Sequence, residues 1–450
     1  MKLSVLLFLI SLSGYTQDTT RLKLLFVGDV MQHDSQIWAA LNPNSKKYDY
    51  DACFEYVTPV VQSADLALAN LEVTLAGPPY KGYPQFSAPD ELAVGLKQAG
   101  FDILVTANNH SVDRRRAGLD RTIDVLDSLG IGHTGTFKDS VSRAQTYPLV
   151  ASSNGIKFSL LNYTYGTNGI PITKPNIVNL IDTTQIKLDL ERAKLQQTDA
   201  IIVFMHWGDE YKSEPNKSQR VLADFCFKNG ATLIVGSHPH VLQPMEWKQD
   251  KNQLIAYSLG NFVSGQQSRY RDGGAMLWVE LEKITSDSIS TTQITDASYE
   301  LAWVYRNNES PKKYFILPLK EFETDTIMTK GKAAQSNLKL FASDSRKLFK
   351  SKNININESS RIPNENIYYQ ILLSQATDTI VFSDTTSLIT FYGAHIEKDS
   401  SSLYRLMSNR FYDREVAEQA LREIKASSVY KDATLWWYYW VRKRAEITGR

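Results

Sequence analysis

The sequence is short of cysteine: Cys53 and Cys226 are the only two in 450 residues. That excludes a disulfide-rich scaffold and any zinc site built from three or four thiolates. Excess charge is absent as well. Fifty Lys and Arg against 49 Asp and Glu leave a formal +1, so no bulk field draws the chain to nucleic acid or to an anionic membrane. Any charged partner must be met locally. Long hydrophobic runs are also missing. The apolar stretch Leu3–Leu12, interrupted by Ser4 and Ser11, is shorter than the ~20 residues a spanning helix needs. Lys2 precedes it and Ser13-Gly14-Tyr15-Thr16-Gln17 come after it, the pattern of a secretory signal peptide over residues 1–16. An uncleaved short anchor is the alternative. The expectation is therefore an exported protein of the periplasm or cell surface, retained at the membrane if the segment stays. In an oxidising space Cys53 and Cys226 could pair. Cys226 sits in an apolar helical pattern with Val221, Leu222 and Phe225, however, which equally suits a buried free thiol.

What is present is a chain long enough for about three domains, or two if one is large. From Leu22 to about Leu281, short runs rich in Val, Ile, Leu and Phe alternate with helix-period segments, the texture of a mostly parallel α/β sheet. The strand candidates are Leu22–Val27, Asp65–Leu71, Asp102–Thr106, Lys157–Asn162, Ala200–Met205, Thr232–Val235, Leu254–Leu259 and Ala275–Leu281. Amphipathic helices are expected over Pro89–Ala99, Ala117–Leu129, Thr184–Gln197 and Pro215–Lys228, the last closed by Asn229-Gly230. Ser286–Ser298 reads as a rim strand or hairpin, with two further strands at Leu301–Tyr305 and Tyr314–Leu319. The alternation is then lost. Residues 331–362, rich in Lys, Ser and Asn, read as a solvated connector or a surface helix. Beyond them lie a strand-like Thr379–Ser383, a helical Tyr412–Ser427 and an aromatic cluster from Tyr430 to Trp440, expected to pack as a C-terminal helix. The domain reading is one large α/β domain over 22–330 and a smaller C-terminal region over 331–450.

The polar residues directly after each apolar run form the informative pattern. Asp29 comes after Leu24–Gly28, Asn70-Leu71-Glu72 after Leu66–Ala69, and Asn108-Asn109-His110 after Ile103–Ala107. Further along are His206 after Ile201–Met205, His238 and His240 after Leu233–Gly236, and Asn261 after Leu254–Leu259. In a parallel sheet the C-terminal strand ends converge on one crevice, where ligands bind. Four of the seven histidines fall at these ends, and His33 lies just beyond Asp29; His133 and His395 have no such setting. Carboxylates, an amide oxygen and imidazoles without thiolate are what a hard-to-borderline divalent metal takes. Such an ion, one or two in number and not resolved among Mn, Fe and Zn, would polarise a phosphoryl or carbonyl oxygen and activate water. A histidine not used as a ligand could protonate the leaving group. Arg114-Arg115-Arg116 open the helix after His110, and one of them, Arg114 first, is expected to meet an anionic substrate together with Asn70, Asn108 and Asn261; an ordinary solvated basic turn is the alternative.

At these residues the sequence resembles the CapA family, the poly-γ-glutamate capsule biosynthesis proteins, which share a fold with the calcineurin-like metallophosphoesterases. The resemblance rests on Gly28-Asp29-Val30-Met31, Asn70-Leu71-Glu72, Ala107-Asn108-Asn109-His110 with Asp113, His206-Trp207-Gly208, Gly236-Ser237-His238-Pro239-His240 and Ser258-Leu259-Gly260-Asn261-Phe262. It implies an α/β sandwich of two β-sheets flanked by helices, with a smaller mixed or helical region after it. It further implies Asp29, Glu72, Asn109, His206, His238 and His240 as metal ligands and His110 as the acid. The wider superfamily carries Asp-x-His in the first motif, where this chain has Asp29-Val30-Met31, and a bridging aspartate in the second, whose place falls to Asn70 or Glu72.

Three functions compete. The first is an exported metal-dependent hydrolase or transferase acting on a phosphoester or γ-glutamyl amide bond of a cell-envelope polymer or another anionic substrate. The second is a non-catalytic accessory protein that handles the polymer beside membrane-bound capsule synthesis subunits. The third, ranked last, is a carbohydrate binder using Trp207, Trp247 and Tyr270 as stacking platforms, aromatics that packing around the crevice explains equally well. None involves nucleic acid.

Overall fold

The computed structural model describes residues 18–286, 289–307, 310, 312–324 and 331–360, and the elements 367–376, 395–398, 404–407, 414–426, 434–439 and 446–448. The expected signal peptide, the strand Thr379–Ser383 and Trp440 lie outside the described residues. From Asp18 the chain runs β1 (Asp18–Val30), α1 (Asp34–Ala40), α2 (Asp51–Phe54), α3 (Thr58–Gln62), β2 (Leu66–Leu71), α4 (Glu91–Ala99), β3 (Ile103–Val105), α5 (Arg115–Leu129), β4 (Gly132–Thr134), β5 (Thr136–Phe137), α6 (Ser140–Thr146), β6 (Leu149–Ser153) and β7 (Ile156–Thr164). It continues β8 (Ile177–Val178), α7 (Thr183–Leu195), β9 (Ala200–His206), α8 (Lys217–Lys228), β10 (Leu233–Ser237), β11 (Met245–Lys248), β12 (Gln253–Ala256), β13 (Asn261–Val263), β14 (Gly273–Ser286), β15 (Ile289–Arg306), β16 (Tyr314–Pro318), α9 (Leu319–Phe322) and α10 (Lys332–Lys352).

These strands build two sheets. One has the order β16-β15-β14-β1-β2-β3-β4, with β13 paired to β1; the other has the order β11-β12-β10-β9-β7-β6, with the strand Glu446–Thr448 at its edge. In the first, β1, β2, β3 and β4 run parallel out to one edge and the β14–β16 side is antiparallel; in the second, β7, β9, β10 and β12 run parallel between antiparallel margins. The sheets face each other across one core. Leu24 and Phe26 of β1, Phe158 and Leu160 of β7 and Ile202 and Phe204 of β9 share it. The alternate residues Ile201, Val203 and Met205 of β9 turn outward, where Leu190 of α7 and Leu222 and Cys226 of α8 cover them. With both faces buried, the central strands read as unbroken apolar runs. The α/β sandwich of two sheets flanked by helices is thus the architecture found. Cys53 and Cys226 are both free and buried, each thiol pushed up to about 12 by desolvation.

Local sequence explains the helices that cover the sheets. The N-terminus of α8 is a capping box: Asn216 Oδ1 accepts the Gln219 N–H at 2.9 Å and Gln219 Oε1 accepts the Asn216 N–H at 3.0 Å. Leu222, Ala223, Cys226 and Phe227 then fall on its buried face.

Three elements depart from expectation. The two strands expected over Ser286–Tyr305 are one, β15, which pairs with β14 along its length around a register shift at Glu280/Leu281. Its first half alternates polar with half-buried residues, so the apolar signal broke there. Of the two readings for residues 331–362 the helix is found, over Lys332–Lys352, but it is not a surface one, since α10 buries Leu338, Phe341, Ala342, Ser345 and Phe349. Phe341 and Phe349 belong to the core between the sheets, at roughly 1.5–3 kcal/mol of burial each. The aromatic cluster supplies a strand, Thr434–Tyr439, not a helix. Consecutive Trp and Tyr residues favour extended backbone whatever their helical spacing suggests.

That strand belongs to a second compact unit, which also holds α3. Its four-stranded sheet has the order His395–Lys398, Tyr404–Met407, Ile367–Ala376, Thr434–Tyr439, and the helix Arg414–Ala426 belongs to the same unit. The first unit contains both large sheets and α10, which lies beyond the boundary expected near residue 330.

Candidate metal centre

Close backbone packing brings the first set of side chains together. A Cβ on Gly28 would lie 2.0 Å from Gly260 O, so only glycine lets the end of β1 approach that turn. There the Asp29 N–H donates to Gly260 O at 3.0 Å. Asp29 pairs in register with Asn70 on one side and Asn261 on the other, so three polar side chains stand abreast at neighbouring strand ends. His206 ends β9 opposite Ser237 of β10. The loop after β10 carries His238 and His240 at φ 98° and 56°, a left-handed region that non-glycine residues rarely occupy and that recurs at functional sites.

The polar contacts interlock. Asn70 Nδ2 donates to Asp29 Oδ1 at 2.8 Å. His240 Nδ1 lies 3.0 Å from Asp29 Oδ2 and 3.1 Å from Asn261 Oδ1. Donation from that Nδ1 fixes the tautomer that leaves Nε2 as a lone pair. His206 Nδ1 is 3.0 Å from Ser237 Oγ, and its Nε2 is 2.9 Å from Asn109 Oδ1 and 3.5 Å from Glu72 Oε1. His240 Nε2 is 3.8 Å from the same Glu72 oxygen. His110 stands apart from this cluster, its Nδ1 2.7 Å from Asp113 Oδ2 and its ring edge-on to Phe86.

Asp29, Glu72 and His206 are fully buried, and His238 and His240 nearly so. Burial, reinforced by Asp29, pushes the Glu72 carboxyl well above the carboxylate range. Desolvation, added to by the neighbouring histidines, holds His206 well below the usual imidazole value and lowers His238 to about 3. Glu72 Oε1 and His238 Nδ1 have no hydrogen-bond partner. Two groups of donor atoms, Asp29-Glu72-His206 and Glu72-His238-His240, each lie within 4.8 Å of one another, with Glu72 common to both. Unpartnered buried oxygen and nitrogen atoms, neutral imidazoles and two carboxylates fit a divalent cation.

Of the residues expected at the site, Asp29, Glu72, Asn109, His206, His238 and His240 come together. Asn70 and Asn261 brace Asp29 and His240. Asn108 spends its amide on backbone, with Nδ2 donating to Leu71 O at 2.8 Å and Oδ1 accepting the His110 N–H at 3.0 Å. Arg114 caps α5, its Nε buried without a partner, while Arg116 is exposed and pairs with Asp120. Arg115 is exposed. Of the two readings of the crevice aromatics, packing holds for Trp207 and Trp247. Trp207 is buried and donates to Tyr257 O at 3.0 Å, and Trp247 is part of the core. Tyr270 alone of the three is exposed. A residue missed in the sequence is Tyr165, whose ring stacks on His206 and lies 4.5 Å from His238. The rule that found the other strand ends stops at Asn162, the polar residue directly after Phe158–Leu161, three residues short of it.

Comparison with known proteins bears on the family of the chain. The model of the bacterial capsule synthesis protein PGA_cap matches residues 23–266. The capsule biosynthesis protein CapA of Bacillus anthracis is 30% identical over 267 residues, covering 56% of this chain and 61% of that protein. The PGA biosynthesis protein CapA of Bacillus subtilis is 30% identical over 293 residues, covering 62% of this chain and 72% of that protein. This chain therefore spans less than two thirds of the B. anthracis protein. Among solved structures, the NAD nucleotidase of Haemophilus influenzae aligns with a TM-score of 0.39 at 15% identity, over 77% of this chain and 65% of that one. The family model takes in every candidate ligand from Asp29 to His240, and the chain belongs to the family of the bacterial capsule synthesis protein PGA_cap.

Proposed function

We propose that this protein is an exported metal-dependent hydrolase or transferase of capsule or poly-γ-glutamate biosynthesis, acting on a phosphoester or γ-glutamyl amide bond of a cell-envelope polymer. One observation carries the metal dependence. Asp29 and Glu72 are fully buried and pair with no Lys or Arg among the described residues; the ionisable bases beside them are histidines. Two carboxylates in such a place need a cation to balance them.

Asp29, Glu72, Asn109, His206, His238 and His240 would hold one or two divalent ions, with Glu72 shared between the groups. Bound there, the ion would polarise a phosphoryl or carbonyl oxygen and lower the pKa of bound water. Asp113 orients His110 by accepting from its Nδ1, which leaves Nε2 to carry the proton for the leaving group. The buried strand ends keep bulk water from the carboxylates, and Asn70 and Asn261 fix the rotamers of Asp29 and His240. The names of the Bacillus relatives support capsule and poly-γ-glutamate biosynthesis as the setting.

The test is metal analysis of the purified protein, followed by a panel of phosphoester and γ-glutamyl peptide substrates. Stoichiometric Mn, Fe, Zn or Co with turnover on either substrate class is expected. Absence of metal, with His206→Ala/His240→Ala leaving metal content and melting temperature unchanged, would overturn the reading. Metal without turnover would favour the accessory role beside membrane-bound synthesis subunits.

A further inference from the structure

Arg271 differs from the neighbouring arginines in what its side chain is spent on. Arg269 is neutralised, its Nη1 3.1 Å from Asp272 and its Nε 3.0 Å from Asp344. Arg271 has no carboxylate partner among the described residues. Its Nε and Nη2 both donate to the one hydroxyl of Ser268, which leaves N–H donors of the guanidinium over. The group is held in place by Tyr211 instead: its Cζ lies 4.5 Å from the centroid of the ring, within cation–π range, and the tyrosine hydroxyl interacts with it as well.

Both ends of Arg271 are tied to the metal centre. The Tyr211 ring lies 6.2 Å from that of His240, and the Tyr211 N–H donates at 2.8 Å to the carbonyl of Pro239, between the two loop histidines. The Arg271 carbonyl accepts Asn261 Nδ2 at 2.8 Å, and Asn261 Oδ1 is 3.1 Å from His240 Nδ1. Tyr211 and Tyr270 have φ of 65° and 77°, which bulky side chains avoid unless their surroundings force it. Both are about half-exposed, at 47% and 59%. They border a cavity of about 320 Å³ floored by Val241, Leu242, Phe341 and Leu348. A cation with spare donors thus stands on the Tyr211 ring, which borders both His240 and this cavity, whose lining also carries Arg269 and Asp344.

We propose that Arg271, carried on Tyr211, is the anion-recognising residue of this site, pairing with a carboxylate or phosphate of the substrate while the adjoining aliphatic part of the substrate enters the cavity between Tyr211 and Tyr270. The inference rests on the function proposed above, because it takes the bond that reacts to lie at the metal centre. A planar guanidinium offers two parallel donors to either anion, and partial burial strengthens the pair. Lysine at this position would keep the charge but lose both the fork and the stacking.

The test is calorimetric titration of the full-length protein, Mn-loaded and chelator-treated, with inorganic phosphate and separately with glutarate. Arg271→Gln is expected to weaken the tighter of the two anions at least tenfold with metal content and melting temperature unchanged. Arg271→Lys should recover only part of that loss. Tyr211→Ala should behave as Arg271→Gln does, because it removes both the ring face and the hydroxyl that meet the guanidinium. The anion that binds tighter identifies the substrate group. Equal affinities in wild type and Arg271→Gln, or a wild type that binds neither anion, would overturn the assignment. A wild type without metal sinks the metal reading alone, since the Arg271 comparison is then decided on the metal-free protein.

Discussion

His110 Nδ1 lies 2.7 Å from Asp113 Oδ2, and that same oxygen accepts the Phe86 backbone N–H at 2.7 Å. The carboxylate is thereby fixed from two directions, and Phe86 closes the loop by packing its ring edge-on against His110. Such an arrangement holds the imidazole in one tautomer with Nε2 available. His110→Ala should abolish turnover while metal content, read by elemental analysis, stays at the wild-type level. Asp113→Asn should lower kcat about 10- to 100-fold, on the scale of other residues that orient a functional histidine. Loss of metal in His110→Ala would make that residue a ligand and not the acid.

Glu72 belongs to both groups of donor atoms, so Glu72→Gln should lose more metal than substitution of any single histidine. The metal-free state gives the opposite sign. Burial already favours the uncharged carboxyl there, so the neutral amide of Glu72→Gln should melt no lower than chelated wild type. Thermal melts with and without chelator check both halves: a large stabilisation by metal in wild type, little in the variant. Retention of full metal in both Glu72→Gln and Asp29→Asn would show that the carboxylates lie elsewhere.

The strand ends were legible because one physical rule covers them: a parallel strand buried on both faces is apolar along its length, and a polar residue directly after it is held at the crevice. Asp29, His206, His238 and Asn261 all obey it. The rule does not reach Tyr165, which follows Asn162-Tyr163-Thr164 and not an apolar run. What the sequence could not supply is contact across the chain. Nothing in the spacing of Asn70 predicts that it braces Asp29, and nothing local to Arg271 predicts the ring of Tyr211 beneath it. The helix α10 was obscured differently, since its inward Leu338, Phe341, Ala342, Ser345 and Phe349 are separated by Lys, Ser and Asp, and Ser345 breaks the apolar stripe.

The burial of Phe341 gives that helix a measurable weight. Its side chain is almost wholly enclosed between the sheets, and it lines the cavity beside Tyr211 and Tyr270. Phe341→Ala should destabilise the first unit by about 3–5 kcal/mol. A chain ended after residue 330 should fail to fold as that unit, because it loses this helix altogether. Denaturant melts of Phe341→Ala check the first point. A soluble, cooperatively melting fragment of residues 18–330 would place α10 outside the folding unit.

His33 makes stability sensitive to acid. Its Nδ1 accepts the Gly265 N–H at 3.2 Å, a bond that protonation destroys. Burial lowers its pKa from 6.5 to about 4; the positive fields of His240 and His110 add to this, while the Gln36 side chain and Asp34 oppose it. Below 6.5 the unfolded chain takes up a proton that the folded protein refuses until about 4. The stability contributed by neutral His33 is therefore complete above that window and is lost as pH falls through it, at a slope approaching about 1.4 kcal/mol per pH unit. His33→Asn keeps an acceptor for Gly265 and a good helix-capping side chain but removes the titration. Between pH 7.5 and 5 the variant should lose about 1 to 2 kcal/mol less than wild type in denaturant melts of chelated protein. Taking the difference between the two proteins cancels the parallel contributions of His206 and His238. Identical losses would mean that His33 titrates in the folded protein as it does in the unfolded chain.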